Sequence, residues 1–119
     1  MGSKSKSYSA AIIIASLSTV ANAQTLSTFE SGNALFSTCT STSALDAQYC
    51  LGFVSAVSDT AEVYESVTKR KFYCPPDGLT AGQLRDLSLQ YLSNHPEQRH
   101  LAAASLVAYS FTYAFPCPK

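Results

Sequence analysis

The chain has 119 residues, eight basic and eight acidic side chains, and four cysteines. A formal charge of zero supplies no positive field for a nucleic-acid partner. The length suits one domain with a modest core.

Residues 1–23 read as a cleavable secretory signal peptide. Lys4 and Lys6 give the positive start, Ala10 to Val20 is mainly apolar, and Ala21-Asn22-Ala23 is a small-x-small cleavage site. The apolar run is about half of the ~20 residues that a membrane span requires. The mature domain is therefore expected over 24–119, with no membrane anchor after cleavage. Without Lys4 and Lys6 its charge balance turns slightly acidic.

A first helix is expected over 26–40. Phe29, Leu35, Phe36 and Cys39 share a face, Thr25 or Ser27 caps the start, and Glu30 lies near the positive end. The polar run Thr40-Ser41-Thr42-Ser43 breaks it. A second helix follows from Ser43 or Ala44 to about Val67. Tyr49, Cys50, Phe53, Val54, Val57, Ala61, Tyr64 and Val67 recur at steps of three and four, which predicts their burial. Gly52 on this helix is read as a place where another backbone comes close.

Lys69, Arg70 and Lys71 then stand beside Phe72 and Tyr73. Three cations suit the negative end of a helix. The same five residues are the candidate partner-contact patch, since aromatic and arginine side chains make good anchors. Pro75-Pro76-Asp77-Gly78 ends the segment.

Thr80 and Gln83 have the spacing of a capping box, and Leu79 and Leu84 that of a hydrophobic staple. They open a third helix, with Leu84, Leu87, Tyr91 and Leu92 facing inward. Ser93 to Pro96 form the turn, with Pro96 and Glu97 suited to the start of a fourth helix over about 96–115. His95 is read as a turn residue and His100 as a surface residue in the first turns of that helix. Leu101 to Phe115 is apolar nearly all round, so this helix is either central or covered on one side by a second subunit.

Cys39, Cys50, Cys74 and Cys117 read as two disulfides, because an exported chain of this size meets an oxidising compartment. No Cys-x-x-Cys spacing supports a zinc site. Of the three connectivities, Cys39–Cys50 with Cys74–Cys117 is preferred, since each bond closes a helix hairpin. The expected fold is all-α: a small bundle of about four helices in two disulfide-locked hairpins. No catalytic, metal or cofactor motif stands out, so no cofactor and no enzymatic activity are expected.

The chain carries Gly32-Asn33-Ala34-Leu35 leading to Cys39, and then Tyr49-Cys50-Leu51-Gly52-Phe53-Val54-Ser55-Ala56-Val57-Ser58-Asp59. Phe72-Tyr73-Cys74-Pro75-Pro76, Gln83-Leu84, Tyr91-Leu92-Ser93-Asn94-His95-Pro96-Glu97 and Phe115-Pro116-Cys117 follow. In this order these motifs resemble the Rap/Tai immunity-protein family of type VI secretion systems. The resemblance implies a periplasmic, disulfide-bonded helical protein, often a homodimer. It implies a protein partner, a secreted cell-wall amidase toxin, blocked by steric occlusion of its substrate groove. The alternative from another class is a small periplasmic chaperone or acid-stress protein without a toxin partner.

Overall fold

A computed structural model describes residues 2–3 and 29–119 of the protein. Helix α1 spans Gly32–Thr40, α2 spans Ala44–Thr68, α3 spans Ala81–Asn94 and α4 spans Ala103–Ala114, with a 3-10 turn at Pro96–Gln98 between α3 and α4. Among the described residues the only β pairing is an isolated bridge between Ser31 and Ala102. The all-α expectation holds. Nearly all of the expected signal peptide, residues 1–23, lies outside the described residues.

Both expected disulfides are present. Cys39–Cys50 joins α1 to α2, and Cys74–Cys117 joins the approach to α3 with the chain beyond α4. The core between the helices is built from Leu35, Val54, Leu84, Leu92, Leu106, Val107 and Phe111. Each helix therefore contributes at least one fully enclosed side chain, which is how a small domain makes a continuous interior.

Helix starts follow side-chain chemistry. Ser43 caps α2 by accepting the Asp46 N–H. Thr80 and Gln83 form the complete capping box at α3: the Thr80 hydroxyl accepts the Gln83 N–H, and the Gln83 side chain accepts the Thr80 N–H at 2.8 Å. Two backbone donors that a helix start leaves free are thereby satisfied.

Two boundaries differ from the sequence expectation, and one cause explains both. Helix α1 begins at Gly32 with Ser31 as its cap; the expected caps Thr25 and Ser27 lie outside the described residues. Helix α4 begins at Ala103, not near Pro96. The segments before these helices bond to each other instead. The Gly32 N–H donates to the Leu101 carbonyl at 2.9 Å, the Asn33 N–H to the Arg99 carbonyl at 2.7 Å, and the Ala103 N–H to the Glu30 carbonyl at 2.9 Å. Gly32 permits the approach: a Cβ there would press on the Leu106 side chain and the Arg99 backbone. His100 accordingly lies in the turn before α4, with Nδ1 2.9 Å from the Glu97 carbonyl.

Burial also departs from the expectation. Tyr49, Tyr64 and Val67 of α2, expected inside, are exposed, and so is Phe29. A Cβ on Gly52 would meet nothing within 4 Å, so that glycine serves no close contact within the chain. Helix α4 buries Ala103, Leu106, Val107, Ser110 and Phe111 but leaves Ala104, Ser105, Tyr109 and Tyr113 open. It is a one-sided helix rather than a wholly enclosed one. The hydrophobic pattern of both helices is broader than the surface their neighbours cover.

Candidate partner-binding surface

The five residues of the candidate patch sit where α2 gives way to the Cys74 segment. Lys69 ends α2 in the left-handed region, at φ 59° and ψ 23°. Its N–H donates to the Glu65 carbonyl at 2.8 Å, and its Nζ donates to the Ser66 carbonyl at 2.8 Å. A glycine adopts that backbone without the clash that a Cβ meets; a lysine there costs about 1 kcal/mol. The Arg70 N–H donates to the Thr68 hydroxyl at 3.2 Å. The Lys71 ammonium is 3.9 Å from the Glu65 carboxylate, with both side chains largely in water, so the pair adds little to stability.

The two aromatics differ. Phe72 is partly exposed and meets the Tyr64 ring edge-on at 6.0 Å between centroids. Tyr73 turns inward. Its ring lies 5.2 Å from that of Phe111, and its hydroxyl is 2.7 Å from the Ser58 hydroxyl. The Cys74 N–H then donates to the Phe115 carbonyl at 2.9 Å beside the Cys74–Cys117 bond. Thus Lys69, Arg70, Lys71 and Phe72 share an open surface, while Tyr73 and the disulfide fasten it to the bundle. The sequence separates none of these roles, because Phe72 and Tyr73 differ only in which side of the chain faces the core.

Phe72 also lines an open apolar groove of about 310 Å³ between α2 and α4. Val57, Ala61 and Tyr64 form one wall; Ala104, Ser105 and Ala108 form the other. No charged side chain lines it. The small residues on α4 leave the space, and two half-exposed aromatics stand at its rim. The sequence left α4 either central or covered on one side by a second subunit, and the groove beside its small residues appears only in the structure.

A few titratable groups elsewhere have local partners. His95 Nδ1 faces the Glu97 carboxylate at 3.3 Å, and its ring lies against that of Tyr91, tilted by 39°, at 4.4 Å between centroids. The Glu97 carboxyl is held below the usual carboxylate range, first by a backbone hydrogen bond and then by His95. Tyr49 donates its hydroxyl proton to the Glu30 carboxylate, which pushes the phenol above its ordinary value. The buried hydroxyls of Ser88 and Ser110 donate to the Leu84 and Val107 carbonyls at 2.9 and 2.6 Å. Among the described residues no cluster of three His, Cys, Asp or Glu side chains is placed to hold a metal. No described helix is long and apolar enough to cross a membrane.

A family model described as Rap1a immunity proteins matches residues 31–117. That span holds α1 to α4 and all four cysteines. No curated protein and no solved structure matches the chain.

Proposed function

The chain belongs to the Rap1a immunity protein family, and on that premise we propose that it neutralises a secreted cell-wall amidase toxin of a type VI secretion system. Membership makes a toxin the class of partner. The finer reading is a periplasmic protein, exported by the signal peptide over 1–23, that acts as a homodimer and without chemistry of its own. It inhibits by occupying the toxin's substrate groove. The observation that carries the reading is the family match over residues 31–117.

Physical features of the chain support it. An inhibitor that works by occlusion has to present a surface already in its bound shape, since ordering a loop on contact costs affinity. Here the cations follow a 25-residue helix directly, and the segment after them is secured by the Tyr73–Phe111 contact and a disulfide. Lys69, Arg70, Lys71 and Phe72 form the proposed contact segment, and Tyr73 holds it to the bundle. Its cations steer the approach of an acidic partner surface, and Phe72 supplies apolar area at the centre.

The test is co-purification of the tagged, exported protein with cell-wall hydrolases of the same cell, followed by inhibition of the captured hydrolase. A stoichiometric, inhibited amidase is expected. Failure to retain any hydrolase, together with no self-intoxication in cells lacking this protein, would overturn the reading. The Lys69→Glu/Lys71→Glu pair should weaken capture about tenfold if the cations steer binding; unchanged capture would remove the contact segment from the proposal.

A further inference from the structure

Helices α3 and α4 leave two adjoining hollows along their outer seam, of about 270 and 630 Å³. Leu87 and Gln90 line both, so the two form one open trough. It runs from Pro76 and Phe115 at one end to Asn94 and Tyr113 at the other. It shares no lining residue with the apolar groove or the contact segment.

The lining chemistry differs from theirs. Gln83, Gln90 and Asn94 follow one another at steps of seven and four along α3, which sets their carboxamides on one face over about 16 Å. Gln90 and Asn94 are exposed. The Gln83 carbonyl oxygen serves the Thr80 cap, which leaves its amide nitrogen as a donor. Aromatic rings stand beside the amides, Phe115 at one end and Tyr91 with Tyr113 at the other. Tyr113 is 80 % exposed, with its ring tilted 62° to that of Tyr91 at 6.4 Å between centroids. An aromatic surface thus stands open to water beside a partly buried neighbour. No lysine or arginine lines the trough, and its one carboxylate, Asp86, pairs with Arg85 at 2.7 Å.

We propose that this trough binds a short chain of neutral pyranose sugars. A sugar hydroxyl both donates and accepts, and so does a carboxamide, whereas an ammonium or a carboxylate does only one of the two. The C–H faces of a pyranose are apolar and rest on aromatic rings. Amides in a row with aromatics at both ends suit several linked rings rather than one compact molecule. An extended peptide fits less well. A peptide that binds by strand addition needs an open sheet edge, and both walls here are helices, whose backbone groups bond within themselves. A charged ligand would find no free opposite charge among the lining side chains.

Sugar binding here requires no toxin, so its test is separate from that of the toxin reading. The purified exported protein is titrated with the trimer of N-acetylglucosamine and, separately, with cellotriose, and the backbone amides are followed by NMR. Saturable shifts centred on Gln90, Tyr91, Asn94 and Tyr113 are expected with at least one trisaccharide, and the pair shows whether the acetamido group is needed. Tyr113→Ala should weaken binding about tenfold, and the Gln90→Ala/Asn94→Ala pair by a similar factor. All three positions are exposed, and circular dichroism verifies that each variant folds. No saturable shift at millimolar sugar, or binding unchanged in both variants, would overturn the proposal. An equal response to trialanine would place a peptide in the trough and overturn it as well. Hydrolase capture lost in these variants, with no sugar bound by the wild type, would assign the trough to the protein partner instead.

Discussion

The guanidinium of Arg99 lies 3.8 Å from the centroid of the Phe36 ring. The same side chain donates from Nε to the Leu92 carbonyl at 2.6 Å, and its backbone carbonyl accepts the Asn33 N–H. One residue in a turn thus ties α1 to the end of α3. Leu92 is among the last carbonyls of α3, which have no partner within the helix. Arg99→Ala should lower unfolding free energy by about 2 kcal/mol, combining the lost cation–π contact with an abandoned carbonyl. Arg99→Lys should recover only part, because an ammonium cannot both lie flat on the ring and keep the directed bond. Urea denaturation of the two variants checks the order.

Two glycines should respond oppositely to alanine. Gly32→Ala forces a methyl against the Leu106 side chain and the Arg99 backbone, 3.0 Å from its Cα, so a loss of roughly 1–3 kcal/mol is expected. Gly52 stands in the middle of α2 with nothing within 4 Å of its Cβ position. Gly52→Ala should raise stability by roughly 0.5–1 kcal/mol, because alanine loses less backbone freedom in a helix. Thermal melts of both variants at one protein concentration would test the contrast.

Lys69 is the one described non-glycine residue with positive φ. Lys69→Gly should stabilise the protein by about 0.5–1 kcal/mol, since glycine favours this helix-ending conformation and the displaced Nζ bond is exposed. If that variant also loses toxin capture, the lysine is retained at the site for binding at a cost in stability. Melting temperature and capture are measured on the same preparation.

The disulfides close loops with sequence separations of 11 and 43. Loop entropy assigns them roughly 3 and 4 kcal/mol, a large part of the ~5–10 kcal/mol that holds a domain of this size together. Cys39→Ala/Cys50→Ala and Cys74→Ala/Cys117→Ala should each lower the denaturation midpoint sharply, the second pair more. Non-reducing peptide mapping of the wild type should return these two linked peptides and no Cys50–Cys74 peptide.

Hydrogen bonding to Glu30 raises the Tyr49 phenol above its ordinary value of 10.0. A group whose folded-state pKa is raised adds stability that is complete below the unfolded value and vanishes as pH climbs through the folded one. The contribution should therefore hold below pH 10.0 and fade above it. It should be small, because the pair is exposed. Ultraviolet titration of the phenols should show a late component that Tyr49→Phe removes.

Helix identity, the caps at Ser43 and Thr80 and the pairing of the cysteines were all readable in the chain. Each depends on residues close in sequence, or on the rule that neighbouring helix ends meet in a hairpin. The 3.6-residue period likewise located α2, but it overstated how much of α2 is enclosed. Periodicity records which side chains are apolar, not how many neighbours arrive to cover them. Tyr49, Tyr64 and Val67 remain open because α1, α3 and α4 cover only part of the α2 circumference. The starts of α1 and α4 were equally beyond local reading. Residues 30–33 meet 99–103 only in space, and their mutual hydrogen bonds win over another turn of either helix. Sequence therefore set the elements and the covalent frame. Tertiary packing decided where two helices begin and which apolar surfaces stay free, because both depend on contacts between distant parts of the chain.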